Sequence, residues 1–152
     1  MSHFNKILIL LLLVTSQLAY SQVLKPTDKV EHLVTQDVTQ LCNQLFKGPV
    51  FQQPVVYIDY APLFPGFLGI TRKLDKYHYM IDLNIMYQSQ DLVLTLLHEL
   101  VHVRQFYYDE LGYDPRGRFL HKGTPYPTNY PYNDRPWERE ADSIARQQCY
   151  PK

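Results

Sequence analysis

The segment from Ser89 to about Leu111 constrains this chain most. Leu92, Leu96, Leu100, Val103 and Phe106-Tyr107 recur at helical spacing and build a wide apolar face. Ser89 stands where an N-cap belongs, and Gly112 and Pro115 stop the helix. Yet its middle carries His98, Glu99 and His102. Two histidines four residues apart sit one turn above the other, with their Cβ atoms about 5–6 Å apart. Burying them with a carboxylate and no partners would cost several kcal/mol. Such a helix folds into a core only if something satisfies its polar groups.

A metal does this best. Imidazoles so placed can take adjacent corners of a zinc tetrahedron. Glu99, beside the first histidine, projects next to the metal rather than onto it. There it can take a proton from water and later deliver it to a leaving amine. Composition alone produces H-E-x-x-H in about one chain in a hundred of this make-up. A catalytic site needs a third protein ligand and an open position. The downstream candidates are His121, Asp134, Glu138, Glu140 and Asp142. Glu138 and Asp142 are four apart and share a face of a last helix from Pro136 to about Gln148, beside the small residues Ala141 and Ala145. One carboxylate can bind zinc while the other holds a histidine through its far ring nitrogen.

The pair His98-Glu99-Leu100-Val101-His102 and Glu138-Arg139-Glu140-Ala141-Asp142 resembles the gluzincin, thermolysin-like metallopeptidases, in which two helices join H-E-x-x-H to E-x-x-x-D. The extension to Gln105 is also similar to small zincin-like domains of unknown function that carry H-E-L-x-H-x-x-Q. The resemblance covers about residues 77 to 148. It implies a zinc-dependent metallopeptidase with one zinc per chain, His98, His102 and Glu138 as ligands, Asp142 behind a histidine and Glu99 as general base. Glu140 remains a rival ligand; two residues from Glu138, it points to the other side of the helix. An oxyanion needs a second donor. Tyr126, Tyr130, Tyr132 and His121, all before the ligand helix, are the candidates. A metzincin is excluded, because no Gly-x-x-His follows His102. The alternative is a non-catalytic module that keeps zinc for structure and binds a partner; an intact Glu99 argues against it.

The rest of the chain fits one small domain of α+β class. Its 152 residues suit one core. Val30, Leu33, Val34, Val38, Leu41 and Leu45 predict a first helix, capped by Thr27 and ended by Gly48-Pro49. Residues 55–60, 67–71 and 77–86 read as strands, the last alternating most clearly. The expected architecture is a small mixed or antiparallel sheet packed on the first helix, the H-E-x-x-H helix and the ligand helix. The resemblance implies that the 77–86 strand is an antiparallel edge able to receive an extended peptide. Residues 112–135, rich in Tyr, Pro and Gly, show no period and read as a long loop.

Residues 1–21 read as a secretory signal: Lys6, the apolar run Ile7–Val14, and small residues at Ala19 and Ser21 before a cut near Gln22. The run is too short to span a membrane as an anchor. The domain, 22–152, is then secreted or periplasmic. Export makes a Cys42–Cys149 disulfide the expectation. Segment 22–50 is either an ordinary core helix or a latency segment over the cleft. With 15 basic and 15 acidic residues the chain has no excess charge for phosphate contacts, so nucleic acid is not the expected partner. A peptide or protein substrate is.

Overall fold

A computed structural model describes residues 23–49, 52–87 and 91–150. The signal segment and Ser89 lie outside the described residues. Among those described, no helix is long and apolar enough to cross a membrane.

The chain is a mixed α+β structure. Strands β1 (Leu24–Pro26), β2 (Val55–Ala61), β3 (Gly69–Lys73) and β4 (His78–Asn84) form one sheet in the order β1-β2-β4-β3. β1 runs parallel to β2, and β2 parallel to β4. β3 alone is antiparallel, pairing with β4 from Gly69↔Leu83 to Lys73↔Tyr79. The alternation read in 77–86 is real: Tyr79, Ile81 and Leu83 are fully buried. The strand is shorter than expected, and its place differs. β4 lies between β2 and β3, so the antiparallel edge is β3, not 77–86. A strand with Asp82 and Asn84 on its second face survives centrally because both are satisfied. Asp82 pairs with Arg72 at 2.6 Å, and the Asn84 amide donates to the Phe67 carbonyl at 2.8 Å.

Helix α1 spans Gln36–Leu45 and buries Val38, Leu41, Cys42 and Leu45. It begins later than expected. Thr35 caps it, its hydroxyl accepting from the Val38 N–H at 3.5 Å. Thr27 cannot cap, because its N–H donates to the Ile58 carbonyl and its hydroxyl to Asp59 at 2.8 Å, which ties it to β2. Between them Glu31–Leu33 make a 3-10 turn that buries Leu33. Residues 23–49 thus supply core, including Val30 and Val38 at 0% exposure, and none of them lines the cleft described below.

Helix α2 spans Asp91–Tyr107 and is the spine of the fold. Leu96, Leu97, Leu100, Val101 and Val103 have no exposed surface, and burying each such side chain contributes about 1.5–3 kcal/mol. It stops before Leu111 because Asp109 takes φ 55° and the Glu110 N–H closes back onto the Gln105 carbonyl at 2.7 Å.

Residues 111–126, expected as loop, form a second antiparallel sheet: β5 (Leu111–Tyr113), β6 (Phe119–His121) and β7 (Thr124–Tyr126). β6 and β7 are joined by Lys122 and Gly123 with φ 49° and 79°. Positive φ at both turn positions matches the twist of a hairpin, and glycine takes it freely. The strands are too short for periodicity to register. Helix α3, Pro136–Cys149, follows with proline in its first turn. It buries Trp137, Ala141 and Ala145, and the two alanines let it pack closely on α2. Cys42 and Cys149 are free cysteines here, not the expected disulfide. Cys42 is buried, and burial pushes its thiol well up, which keeps it unreactive.

Candidate metal centre

Crossing α3 over α2 brings His98, His102 and Glu138 together, with one ligand atom from each within 4.8 Å of the others. Glu138 Oε2 is 3.2 Å from both His98 Nε2 and His102 Nε2, and the two Nε2 atoms are 2.9 Å apart. Side-chain exposures of 13%, 10% and 11% place the cluster at the floor of an opening, not on the surface. Asp142 is 2.9 Å from His98 Nδ1. Glu140 lies elsewhere: it faces Arg104 at 3.1 Å and Lys122 at 3.4 Å, and accepts from the Gln105 amide at 2.8 Å.

Gln105 decides the chemistry at His102. Its Nε2 donates to two acceptors, the Trp137 carbonyl at 3.0 Å and Glu140 Oε2. Its Oε1 is thereby the atom 2.8 Å from His102 Nδ1. An amide oxygen only accepts, so Nδ1 must carry the proton. Likewise His98 Nδ1–H donates to the Asp142 carboxylate. Each neutral imidazole then presents an unprotonated Nε2, and the two lone pairs converge with a carboxylate oxygen. Three such donors aimed at one point repel each other unless a cation lies among them.

Without a metal that cation is a proton. Burial disfavours charge on His102, but the hydrogen bond it donates to the Glu138 carboxylate and the charges of Glu99 and Glu138 outweigh it and raise its pKa. Burial likewise works against a charged Glu138, but the hydrogen bonds from His102 and His98 prevail and hold its carboxyl far below the usual range.

No family model, curated protein or solved structure matches this chain.

The donors fit zinc. Two imidazoles and a carboxylate with both far ring nitrogens occupied are a nitrogen-and-oxygen set that leaves a fourth position open. Of the three, His98 lines a cleft of about 430 Å³, together with Phe67, Leu68, Leu94, Glu99 and Tyr132 among others.

Glu99 is buried, 6% exposed. The Thr71 hydroxyl lies 2.7 Å from its Oε2 and 3.0 Å from its carbonyl oxygen. Gly69 makes the approach possible: a Cβ there would lie 2.9 Å from Glu99 Cγ and 2.8 Å from Thr95 Cγ2. The edge strand therefore rests directly against the buried acid.

Among the oxyanion candidates only Tyr132 lines the cleft. Its phenol hydrogen-bonds Glu138, and burial, then the Glu138 charge, push its pKa up. Tyr130 packs edge-on against Tyr126, which packs on Trp137. His121 is buried 5.8 Å from the Trp137 ring, where burial and Lys122 depress its pKa. These groups hold the second sheet on α3.

Sequence reasoning assigned no role to Thr71, Gly69 or Gln105. Gln105 had a signal, its i,i+3 spacing from His102. Gly69 could be read only as a place of tight backbone, and Thr71 had no signal, because their partners lie across the β3–α2 contact.

Proposed function

We propose that this chain is a zinc-dependent peptidase with a zincin-like fold, exported by its N-terminal leader. The observation that carries the reading is the convergence of one possible ligand atom each from His98, His102 and Glu138, all within 4.8 Å of one another. The antiparallel edge strand β3, packed along α2, supports the fold assignment.

Zinc at this point supplies Lewis acidity, polarising a peptide carbonyl and making water a stronger acid. The protein's own groups do the rest. His98 and His102 are held in the ligating tautomer by Asp142 and Gln105. Glu99 is anchored through Oε2 by Thr71, which leaves Oε1 to accept the proton of the attacking water and return it to the leaving amine. Tyr132, at the cleft wall, is placed to donate to the oxygen that gains charge. β3 offers its unpaired edge to an extended substrate, which adds to the sheet as a further strand.

The test is direct. Mature protein purified without chelator should hold about one zinc per chain, and Glu99→Gln should keep the metal and lose hydrolysis of a general peptide mixture. Absence of bound zinc, together with no thermal shift on adding it, rejects the metal site. Full hydrolysis by Glu99→Gln rejects the acid's role. Zinc without any chelator-sensitive cleavage selects a binding module instead.

A further inference from the structure

Arg146 lies one turn beyond Asp142 on α3, so the two project from the same face, and both line the cleft. They differ in employment. The Asp142 carboxylate is engaged by His98. The Arg146 side chain is exposed, and among the described residues its guanidinium pairs with no carboxylate within 4.0 Å. Arg72 pairs with Asp82, Arg104 with Glu110 and Glu140, and Arg118 with Asp114; of the arginines without such a pair among the described residues, only Arg146 lines the cleft. The same cleft is lined by apolar side chains, Phe67 and Leu68, still 51% and 39% exposed, and Leu94.

A cleft that holds a planar cation without a carboxylate partner together with apolar side chains is complementary to a peptide bearing a carboxylate next to an apolar side chain. Guanidinium matches a carboxylate through two parallel hydrogen bonds. A substrate filling the cleft would exclude the water that otherwise weakens this pairing.

We propose that Arg146 is a specificity-determining residue that takes a substrate carboxylate, so that the peptides cleaved are acidic on the α3 side of the bond. This rests on the peptidase reading above. The carboxylate comes either from a free C-terminus or from an Asp or Glu side chain, and the chemistry at Arg146 is the same for both.

The experiment uses zinc-loaded mature protein and two peptide pairs: one sequence as free acid and as amide, and an amidated sequence with Asp or Asn beside an apolar residue. kcat/KM is measured for each, and affinity is measured by calorimetry in Glu99→Gln. The acidic member of at least one pair should be preferred about tenfold. Arg146→Gln should erase that preference, Arg146→Glu should reverse it, and Arg146→Lys should keep part of it. Response in the free-acid pair makes the enzyme an exopeptidase; response in the Asp/Asn pair makes it an endopeptidase selective for acidic side chains. Equal treatment of both members of both pairs overturns the proposal, as does a preference untouched by Arg146→Gln or a failure of every peptide to bind. A protein that binds acidic peptides through Arg146 but hydrolyses none loses the peptidase reading and keeps this one.

Discussion

Replacing Gly69 by alanine tests how closely the edge strand must rest on the acid. The added methyl would sit 2.8 Å from Thr95 Cγ2, 2.9 Å from Glu99 Cγ and 3.1 Å from Glu99 Oε1. Ordinary contact begins near 3.4 Å, so something must retreat by about 0.6 Å. Neither neighbour gives way cheaply. Thr95 is β-branched on a helix, with few allowed rotamers. Glu99 is held through its far oxygen by Thr71. If β3 moves instead, it strains its pairing with β4 at Leu83. Overpacking of this kind costs about 1–3 kcal/mol, or on the order of 5–10 °C in melting temperature for a domain this size. A base displaced by half an ångström or more should cost roughly ten- to a hundredfold in kcat. Zinc content should not change, because no ligand is touched. Calorimetry, metal analysis and steady-state hydrolysis on one preparation separate these effects. Adding Thr95→Ser removes the closest methyl and should restore part of the stability. A Gly69→Ala protein with wild-type melting temperature and kcat would refute the close-approach argument.

Three further outcomes follow from the same geometry. Gln105→Leu removes the acceptor that fixes the His102 tautomer and should weaken zinc binding about ten- to a hundredfold in chelator competition; unchanged affinity would mean His102 needs no such partner. In chelated protein, the raised His102 pKa means that its stabilisation is complete below its unfolded value, near 6.5, and is lost as pH rises through the folded value. Melting temperature should therefore fall as pH climbs above about 6.5, and Glu138→Gln should flatten that slope; an identical slope in both proteins contradicts the coupling. Trp137→Ala, which empties a site packed against Phe119, His121 and Tyr126, should cost about 3–5 kcal/mol in denaturant unfolding; a loss below 1 kcal/mol would show that the second sheet does not lean on it.

What was legible in the sequence follows period and spacing. α2 was readable because its apolar face recurs over several turns, α3 because Pro136 marks its start and Glu138 and Asp142 stand one turn apart, and β4 because it alternates. The pairs His98/His102 and Glu138/Asp142 were each readable, since i,i+4 spacing is a statement about one helix face; that the two pairs meet was implied only by the gluzincin resemblance. Features that depend on partners distant in the chain were not readable. Thr27 looked like a cap until Asp59 claimed its hydroxyl. The 77–86 strand looked like an edge, although only pairing with β2 and β3 could decide that. The second sheet hid because three-residue strands carry no period, although the Lys122-Gly123 pair before Thr124 was a usable turn signal.

The three ligand atoms are divided between helices, two on α2 and one on α3, with the whole second sheet strung between them. A chain that has folded through α2 owns only half a grip on a cation. The grip closes when the last 14-residue helix docks. Binding of a metal there would be coupled to docking of α3: zinc at a hundred times its dissociation constant for the docked state would hold that state by about 2.7 kcal/mol over an undocked one that does not bind it. A zinc ion held there would be a clasp as well as a reagent. Stripping it would loosen the end of the chain first, and a protease added to chelated protein would cut near Pro136 before it reached the sheet.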